Sequence, residues 1–382
     1  MKSFATLSTT PKAMTNSFPA TFVRGGTSNG LIIHRSALPK DESQWQPILS
    51  SAMGSPDPFG RQLNGMGSGI SSTSKICVIS KSERKDADLD YTFVQVGIKD
   101  GSLDMAGNCG NMSSAVGPVA YDDGLTKLTT IKKNETTVRL FNTNTNKLVH
   151  STFSINPENQ SYNPAGEYSI DGVPGSASGI TLSFLDPAGA KTGKALPTGN
   201  SLDELKLQDG TTIRASLVDV ANPGVFVLAS DVGVPGDVSS DALGADAAVM
   251  GRLEEIRRAG AAMMGMDPDV QSVPKVVLIS KPGANVEGVN IICRALSMQQ
   301  AHKAVPLTLA LNLGAACRMP GTLPAMTAVG AEGKGSVVIA HAGGKLEVGS
   351  EMKDGDIESA LLHRTARVLM KGEVFYSLDA NG

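Results

Sequence analysis

A single cysteine, Cys109, has the sequence surroundings of a reactive thiol. It lies in the stretch 105–117, MAGNCGNMSSAVG, where small residues flank it and the residues from Met112 onward predict a helix. At the start of a helix, unpaired backbone N–H groups and the positive end of the helix dipole favour thiolate over thiol. Such a cysteine titrates near neutral pH and transfers protons. The alternative is a small buried apolar residue, which most free cysteines are.

Lys75 is a second candidate for proton transfer. It follows the polar residues Ser71 to Ser74 and begins an apolar run, Ile76 to Ile79. A lysine at the edge of a strand usually keeps its ammonium group in solvent. If Lys75 instead points into a closed cleft, burial lowers its pKa and makes it a usable base.

A third candidate is the turn Arg24-Gly25-Gly26-Thr27-Ser28. Its backbone N–H groups and hydroxyls can form a cradle for a carboxylate, because consecutive main-chain amides bind anions. A plain hairpin turn explains the same residues.

Other kinds of chemistry lack a matching motif. The five histidines show no HxH or HxxxH spacing, and the four cysteines fit no zinc pattern, so we predict no metal site. The sequence contains no Walker loop and no GxSxG elbow. The glycine-rich run 65–70 neither follows a strand nor opens a helix, which makes it a poor dinucleotide fingerprint.

Composition narrows the range of partners. The 382 residues suffice for two domains, the net charge is −3, and 19% of the residues are charged. Without a basic stripe or a long apolar run, we predict neither a nucleic-acid nor a membrane partner. Four scattered cysteines indicate free thiols in a reducing compartment, hence a cytoplasmic location. Residues 1–18 predict a flexible tail, although the absence of acidic residues in 1–17 leaves a weak mitochondrial alternative.

Hydrophobic periodicity predicts more strands than helices. The predicted strands cover residues 20–24, 31–34, 75–80, 91–98, 138–141, 148–150, 180–185, 212–219, 224–229, 275–280, 289–295, 335–340 and 345–349, with a short terminal strand within 366–375. Helices are predicted over 43–53, after Cys109, over 242–264 and within 301–317, and residues 201–205 are predicted to form a short turn.

These elements repeat along the chain and predict an internally duplicated α+β protein. We expect mostly antiparallel strands and one central apolar helix in each half, with the two helices facing each other across a cleft. We predict an N-terminal domain of residues 19–200, completed by 366–382, and a C-terminal domain of 201–365. If Cys109-Gly110 aligns with Leu313-Gly314, the second half lacks a matching thiol.

Taken together, the motifs identify a family resemblance. The chain resembles the PrpF family of isomerases, which share the diaminopimelate epimerase-like fold of two pseudo-symmetric domains with the active site in the cleft between them. The matching stretches run in family order over about residues 20 to 376 and comprise RGGTS (24–28), STSK (72–75), GNCGN (107–111), FLDPAGAKTGK (184–194), PTG (197–199), ANP (221–223), Ser297-Met298 with His302-Lys303, PGT (320–322) and RTAR (364–367).

The resemblance implies a double-bond shift in a small unsaturated polycarboxylic acid, without a cofactor. The family's catalytic lysine and cysteine match Lys75 and Cys109 in this sequence. The matched motifs also imply a set of substrate-binding residues. These are Arg24, Gly26, Thr27, Ser28, Ser72, Asn108, Gly110, Asn111, Met112, Ser297, Met298 and His302.

Such a 1,3-proton shift needs one group that removes a proton beside a carboxylate and another that delivers one at the far end of the allyl system. Our first hypothesis is an aconitate Δ-isomerase that converts cis-aconitate to trans-aconitate. Within the family, 2-methylaconitate, methylitaconate and oxalomesaconate are the alternative substrates. Outside it, a thiol-dependent amino-acid racemase and a non-catalytic binder of anionic metabolites are the alternatives.

The sequence departs from the family pattern in two places. Asn29 stands where the family usually has Lys or Arg, and residues 311–314, LNLG, replace a common Thr-Gly-Ala. Both changes fit a subgroup of the family that acts on a different polycarboxylic acid substrate. An exposed sheet edge would also allow a homodimer.

Overall fold

Alternating apolar residues organise most of the chain into strands. The computed structural model describes residues 16–126, 134–283, 286–332, 335–353 and 356–378. Within these ranges the strands are β1 (Asn16–Gly25), β2 (Ser28–His34), β3 (Lys75–Lys81), β4 (Leu89–Val96), β5 (Leu103–Asp104), β6 (Glu135–Asn142), β7 (Lys147–Ser154), β8 (Ile180–Leu185), β9 (Asp203–Lys206), β10 (Thr212–Val220), β11 (Asn222–Leu228), β12 (Lys275–Ser280), β13 (Ile291–Ser297), β14 (Gln300–Ala301), β15 (Ser336–His341), β16 (Gly344–Lys353), β17 (Asp356–Arg364) and β18 (Ala366–Tyr376).

The α-helices of the described ranges are fewer and mostly short. They are α1 (Trp45–Met53), α2 (Gly110–Asp122), α3 (Ser240–Ala245), α4 (Ala247–Met263), α5 (Leu307–Ala316) and α6 (Leu323–Thr327). None of these helices is long and apolar enough to cross a membrane.

The strand pairings form one continuous curved ribbon. Its order is β18–β1–β2–β3–β4–β6–β7–β8 in one half, then β17–β16–β15–β13–β12–β11–β10–β9 in the other. The pairing of β8 with β17 joins the halves. Most neighbours are antiparallel, as hairpin connections require.

The two halves repeat the same pairing scheme. In the first, β2–β3 and β4–β6 are the parallel pairs, and in the second, β11–β12 and β13–β15 are. The helix between β5 and β6 is α2, and α5 follows β14 before β15. The fold is therefore α+β with two pseudo-symmetric halves, each a curved sheet around one central helix.

The two central helices are buried on all sides. All residues of α5 and all but the last of α2 are buried, and both helices contribute to one large apolar core with the concave faces of the strands. A helix that is apolar all round belongs inside a core. Two smaller cores lie outside the sheet, one beneath α1 and one beneath α4.

Several sequence-based expectations were wrong in detail. Residues 203–206 form strand β9 and not a turn, and the helix predicted over 242–264 is divided into α3 and α4. The division occurs because the carboxylate of Asp246 accepts hydrogen bonds from the N–H groups of Ala248 and Val249, which starts a new helix. Strand β17 was missed, and β18 is longer than predicted.

The predicted domain boundaries fall between strands. Strand β18, at the C-terminal end, pairs with β1, and β9 begins just after residue 200. The limits 19–200 with 366–382, and 201–365, stay a prediction. The first strand begins at Asn16 and so includes the last three residues of the predicted tail, while residues 1–15 lie outside the described part.

Close packing at Gly30 gives a test of this fold. A Cβ at Gly30 would overlap the main-chain carbonyl of Lys75 on the neighbouring strand, and that backbone cannot move without disturbing the β2–β3 pair. We expect Gly30→Ala to lower the free energy of unfolding by about 1–3 kcal/mol, measured by urea denaturation. Gly251 in α4 is exposed with open space around it, so Gly251→Ala should raise the value by about 0.5–1 kcal/mol. A Gly30→Ala protein as stable as the wild type would contradict this packing.

Candidate active site

Cys109 occupies the N-cap position of the central helix α2. Its carbonyl oxygen accepts hydrogen bonds from the Ser113 N–H at 2.9 Å and from the Ser113 hydroxyl at 3.1 Å, so its main chain begins the helix. Its thiol makes no capping hydrogen bond. It is half-buried, whereas the other three cysteines are buried. The thiol is therefore free of any capping role and lines a pocket at the helix terminus.

The N-terminal ends of the two central helices meet at this pocket. A Cβ on Gly110 would lie 2.8 Å from a methyl carbon of Leu307, the first residue of α5, so a glycine at this position permits the close approach. Because both helices leave their first N–H groups without an intrahelical acceptor, the positive ends of both dipoles converge here.

The pseudo-symmetric counterpart of Cys109 is Pro306 and not Leu313. Cys109 is the N-cap of α2 and Pro306 is the N-cap of α5. Our alignment through Gly314 was wrong because Gly314 lies in the middle of α5, where it packs against Val348. The second half still lacks a matching thiol, and Cys317 is buried at the C-terminal end of α5.

The pocket brings together most of the predicted site residues. Eight of them line it: Ser28, Lys75, Asn108, Cys109, Asn111, Ser297, Met298 and His302. Cys109 and Lys75 thus line the same pocket, and their catalytic roles stay a prediction.

Lys75 is held in the pocket by a fixed acceptor. Its ammonium donates to Oε1 of Gln95 at 2.7 Å, and only 7% of the residue is exposed. The Gln95 amide donates in turn to the carbonyls of Ser71 and Ser74, which fixes which of its ends faces the lysine. The ammonium also lies 5.0 Å from the centre of the Phe93 ring. Lys75 thus faces the cleft and not the solvent.

Two asparagines link the helix terminus to the surrounding strands. The Asn108 amide donates to the Tyr91 hydroxyl at 3.2 Å and accepts from the Ser113 hydroxyl at 3.3 Å. The Asn111 amide donates to Thr27 at 3.1 Å. These bonds hold the first turn of α2 in place around Cys109.

Four predicted residues support the pocket without lining it. The Arg24 guanidinium donates to the carbonyls of Gly26 and Thr365, both at 2.9 Å, and so braces the turn. Gly26 has φ +52° and no room for a Cβ beside Asn111. Gly110 contacts α5 as described above. Met112 is fully buried, close to Gly30.

The remaining two, Thr27 and Ser72, line an adjoining pocket that shares His302 with the first. Thr27 also lines a third pocket with Arg364, which donates to the side-chain oxygen of Asn111 at 3.2 Å. Burial lowers the pKa of Arg364 to about 10. The Cys109 pocket adjoins the second pocket at His302, and the second adjoins the third at Thr27, so the three pockets lie side by side in one cleft.

His302 faces both pockets as a neutral ring. Burial, followed by the positive charge of Lys75, lowers its pKa to about 4. Its Nδ1 accepts a hydrogen bond from the Ala304 N–H at 3.1 Å, which places the remaining proton on Nε2. At neutral pH His302 therefore offers an N–H donor and no charge.

Sequence reasoning missed Lys275, a second buried lysine in the Cys109 pocket. A signal was present: residues 75–81, KICVISK, and 275–281, KVVLISK, share their first, fifth, sixth and seventh residues. Gln95, Phe93, Ser272 and Thr308 also line the pocket and were not predicted.

Metal-ligating side chains are not clustered in the described part of the chain. No group of three or more His, Cys, Asp or Glu residues there is arranged to hold an ion.

Comparison with known proteins extends over nearly the whole chain. The family model described as "PrpF protein" matches residues 15–377. A 2-methyl-aconitate isomerase of Cupriavidus necator is 36% identical, with 95% of this chain and 98% of the relative covered. A (4E)-oxalomesaconate Delta-isomerase of Novosphingobium sp. (strain KA1) is 37% identical, with 94% and 98% covered.

Solved structures agree with this fold. The crystal structure of a methylitaconate-delta-isomerase matches with a TM-score of 0.75 and 36% identity, covering 95% of this chain and 96% of the other. A hydroxyproline epimerase of Agrobacterium vitis matches with a TM-score of 0.54, 12% identity and coverage of 94% and 92%. At that identity, the epimerase shows a shared fold only.

The different burial of the four cysteines predicts selective labelling. Burial raises the pKa of Cys293 to about 12 and also raises the pKa values of Cys77 and Cys317. We therefore expect a thiol reagent such as DTNB to modify one cysteine, Cys109, in the native protein near neutral pH.

Urea-unfolded protein, in which all four thiols react, provides the reference, and a native Cys109→Ser protein should give no fast signal. Equal labelling rates for Cys317 and Cys109, read by peptide mass spectrometry, would contradict the arrangement.

Proposed function

The chain belongs to the PrpF family of isomerases, and on this premise we propose that it moves a double bond in a small unsaturated polycarboxylic acid. In this proposal Cys109 and Lys75 are the acid–base pair. Our first choice of reaction is the conversion of cis-aconitate to trans-aconitate.

One observation carries the proposal: a free thiol and a buried ammonium group line the same pocket at a helix terminus. A 1,3-proton shift needs two groups that exchange protons at different carbons of one bound molecule. Cys109 and Lys75 come from different elements, α2 and β3, so they can address different carbons.

The reaction balances with these two groups alone. A base removes a proton from the methylene carbon, and the electron pair of that C–H bond forms the new double bond. The old double bond shifts its electrons through the allyl system onto a conjugated carboxylate, giving a dienolate. An acid then protonates the far carbon, so the product has the formula of the substrate. In the reverse direction Cys109 and Lys75 exchange roles.

Charge develops on a substrate carboxylate during the shift. Residues at the N-terminal ends of α2 and α5 line the pocket from two sides, and helix termini of this kind stabilise anions. The neutral His302 ring can add a hydrogen bond without removing a proton from the acid–base pair.

The choice among acids rests on the relatives. They are named for 2-methylaconitate and oxalomesaconate, and the matching crystal structure for methylitaconate. Aconitate has the skeleton of 2-methylaconitate without its methyl group, so the same groups can act on it. The other three acids are the alternatives. A cytoplasmic location, a homodimer and the absence of nucleic-acid and membrane partners stay predictions.

Amino-acid racemisation is a weaker candidate. A two-thiol racemase needs cysteines on opposite faces of one carbon, and the counterpart of Cys109 is Pro306. A binder without turnover would use the same anion-binding groups and is separated from an isomerase by activity alone.

The test is a substrate panel followed by NMR. We expect the wild-type protein to isomerise at least one of cis-aconitate, trans-aconitate, 2-methylaconitate, methylitaconate and oxalomesaconate. On the active acid, Cys109→Ser and Lys75→Met should each lower kcat by about 100-fold or more, because each removes one proton-transfer group.

Lys81→Met provides a matched control, since Lys81 is the exposed lysine at the other end of β3, and it should retain full activity. Normal turnover by the Cys109→Ser and Lys75→Met proteins would overturn the assignment. Tight binding of every acid without conversion would instead identify a binder.

A further inference from the structure

Lys275 is the pseudo-symmetric counterpart of Lys75. Lys75 lies opposite Gly30 in the parallel pair β2–β3, and Lys275 lies opposite Gly224 in the parallel pair β11–β12. The two lysines begin the repeated segments 75–81 and 275–281. The duplication that places Pro306 opposite Cys109 therefore supplies a second lysine in the place of a second thiol.

Both lysines are buried against the same pocket. Lys75 is 7% exposed and Lys275 is 8% exposed, and each lines the pocket together with Cys109. The Lys275 ammonium donates to the main-chain carbonyl of Ser272, a neutral acceptor. Within the described residues, neither ammonium group has a carboxylate at salt-bridge distance. Each ammonium has three N–H donors, so both retain donors for a ligand.

The charges around Lys275 do not cancel. Burial, followed by the positive charge of Lys75, lowers the pKa of Lys275 to about 8, with a smaller effect of the same sign from Arg257. Asp104 and Cys109 act in the opposite direction.

Two carboxylates lie near Lys275, and neither pairs with it. Glu254 shares a neighbouring pocket with Lys275 and forms an ion pair with Arg257. His302 is neutral, and the Asp104 carboxylate already accepts hydrogen bonds from Ser272 Oγ at 2.8 Å and from the Ala106 N–H at 2.9 Å. With Glu254 paired to Arg257, Asp104 is the carboxylate left beside the two buried ammonium groups, an arrangement that is costly unless an anion binds between them.

We propose that Lys275 is a further catalytic residue, whose ammonium group binds the substrate carboxylate conjugated to the reacting carbons. The negative charge of the dienolate moves onto that carboxylate, so the attraction is stronger in the transition state than in the ground state. No proton passes through Lys275 in this role. The inference rests on the proposed function and names the group that fixes its substrate class.

The binding experiment uses tricarballylate, a saturated tricarboxylate that cannot undergo the double-bond shift. By calorimetry, we expect Lys275→Met to weaken its binding by at least about tenfold, because a buried positive charge is lost. Lys275→Arg should bind within a few-fold of wild type. Lys281→Met is the matched control, since Lys281 is the exposed lysine at the end of the same repeat, and its affinity should be unchanged.

Measurements of turnover distinguish a role of the Lys275 charge from a role of Lys275 in proton transfer. Lys275→Met should lower kcat by about 100- to 1,000-fold on the active acid, because stabilisation of the dienolate is lost. Lys275→Arg should recover a measurable part of that loss, since arginine keeps its charge and does not release a proton at these pH values. Thermal melting should be near wild type for both proteins, because the substituted side chains have similar volume.

The pH dependence follows from the titration of Lys275. As pH rises through about 8, the ammonium loses its charge, so tricarballylate should bind less tightly. The measurement is made in a Cys109→Ser background, which removes the thiol from the pocket. Adding Lys275→Arg should abolish the decrease, and an unchanged pH profile would contradict the proposal.

Two other outcomes are distinguishable. The inference is overturned if Lys275→Met binds tricarballylate and turns over the active acid like wild type. It is also overturned if Lys275→Arg loses activity as fully as Lys275→Met while both proteins bind tricarballylate normally. Neither result affects the roles proposed for Cys109 and Lys75. If the wild type isomerises no acid but Lys275→Met still loses affinity, the proposed reaction fails and the carboxylate-binding role of Lys275 is supported.

Discussion

The convergence of two buried helix termini is the constraint on which the site depends. Helices α2 and α5 are buried on every side, inside the curved ribbon of strands. Their N-terminal ends meet where Gly110 contacts Leu307, which concentrates unpaired N–H groups at one point. Water can hydrogen-bond to these N–H groups less readily in a pocket than at a surface. A bound anion would satisfy them, so the fold favours anion binding at this point.

The duplicated architecture then supplies matched functional groups from both halves. The counterparts Lys75 and Lys275 approach the pocket from equivalent strands, whereas Cys109 and Pro306 show where the halves differ. Symmetric lysines suit the binding of a polycarboxylate, which carries several negative charges. A single thiol makes the site asymmetric, which suits a reaction at two different carbons better than inversion at one.

Much of the site was predictable because its signals are local. The small residues before a helix identified Cys109, and a polar loop entering an apolar strand identified Lys75. Long-range pairing was not predictable in the same way. The role of Arg24 in bracing a turn depends on Thr365, which is distant in sequence, and Lys275 needed the repeat of segment 75–81 to be recognised. A glycine in the middle of α5 resembled a helix start, which misplaced the counterpart of Cys109.

The two places where the sequence departs from the family pattern lie outside the lining of the Cys109 pocket. Asn29 pairs with Arg24 across the β1–β2 hairpin and does not line the Cys109 pocket. Asn312 donates to the carbonyls of Val218 and Asn222 at 2.7 and 2.8 Å, so it joins α5 to the β10–β11 hairpin. Asn29 and Asn312 can therefore influence which acid binds only indirectly, through the strands and the helix that surround the pocket.

The origin of the proton on the newly saturated carbon decides whether two separate groups carry out the transfer. The wild-type protein is equilibrated in heavy water, given the active acid, and the product of single turnovers is examined by NMR and mass spectrometry. Because the acid and the base are separate groups that exchange with solvent, we expect one deuterium in the product, located on the newly protonated carbon. A product without deuterium would contradict it, since the original proton would then have been carried by one group or never removed.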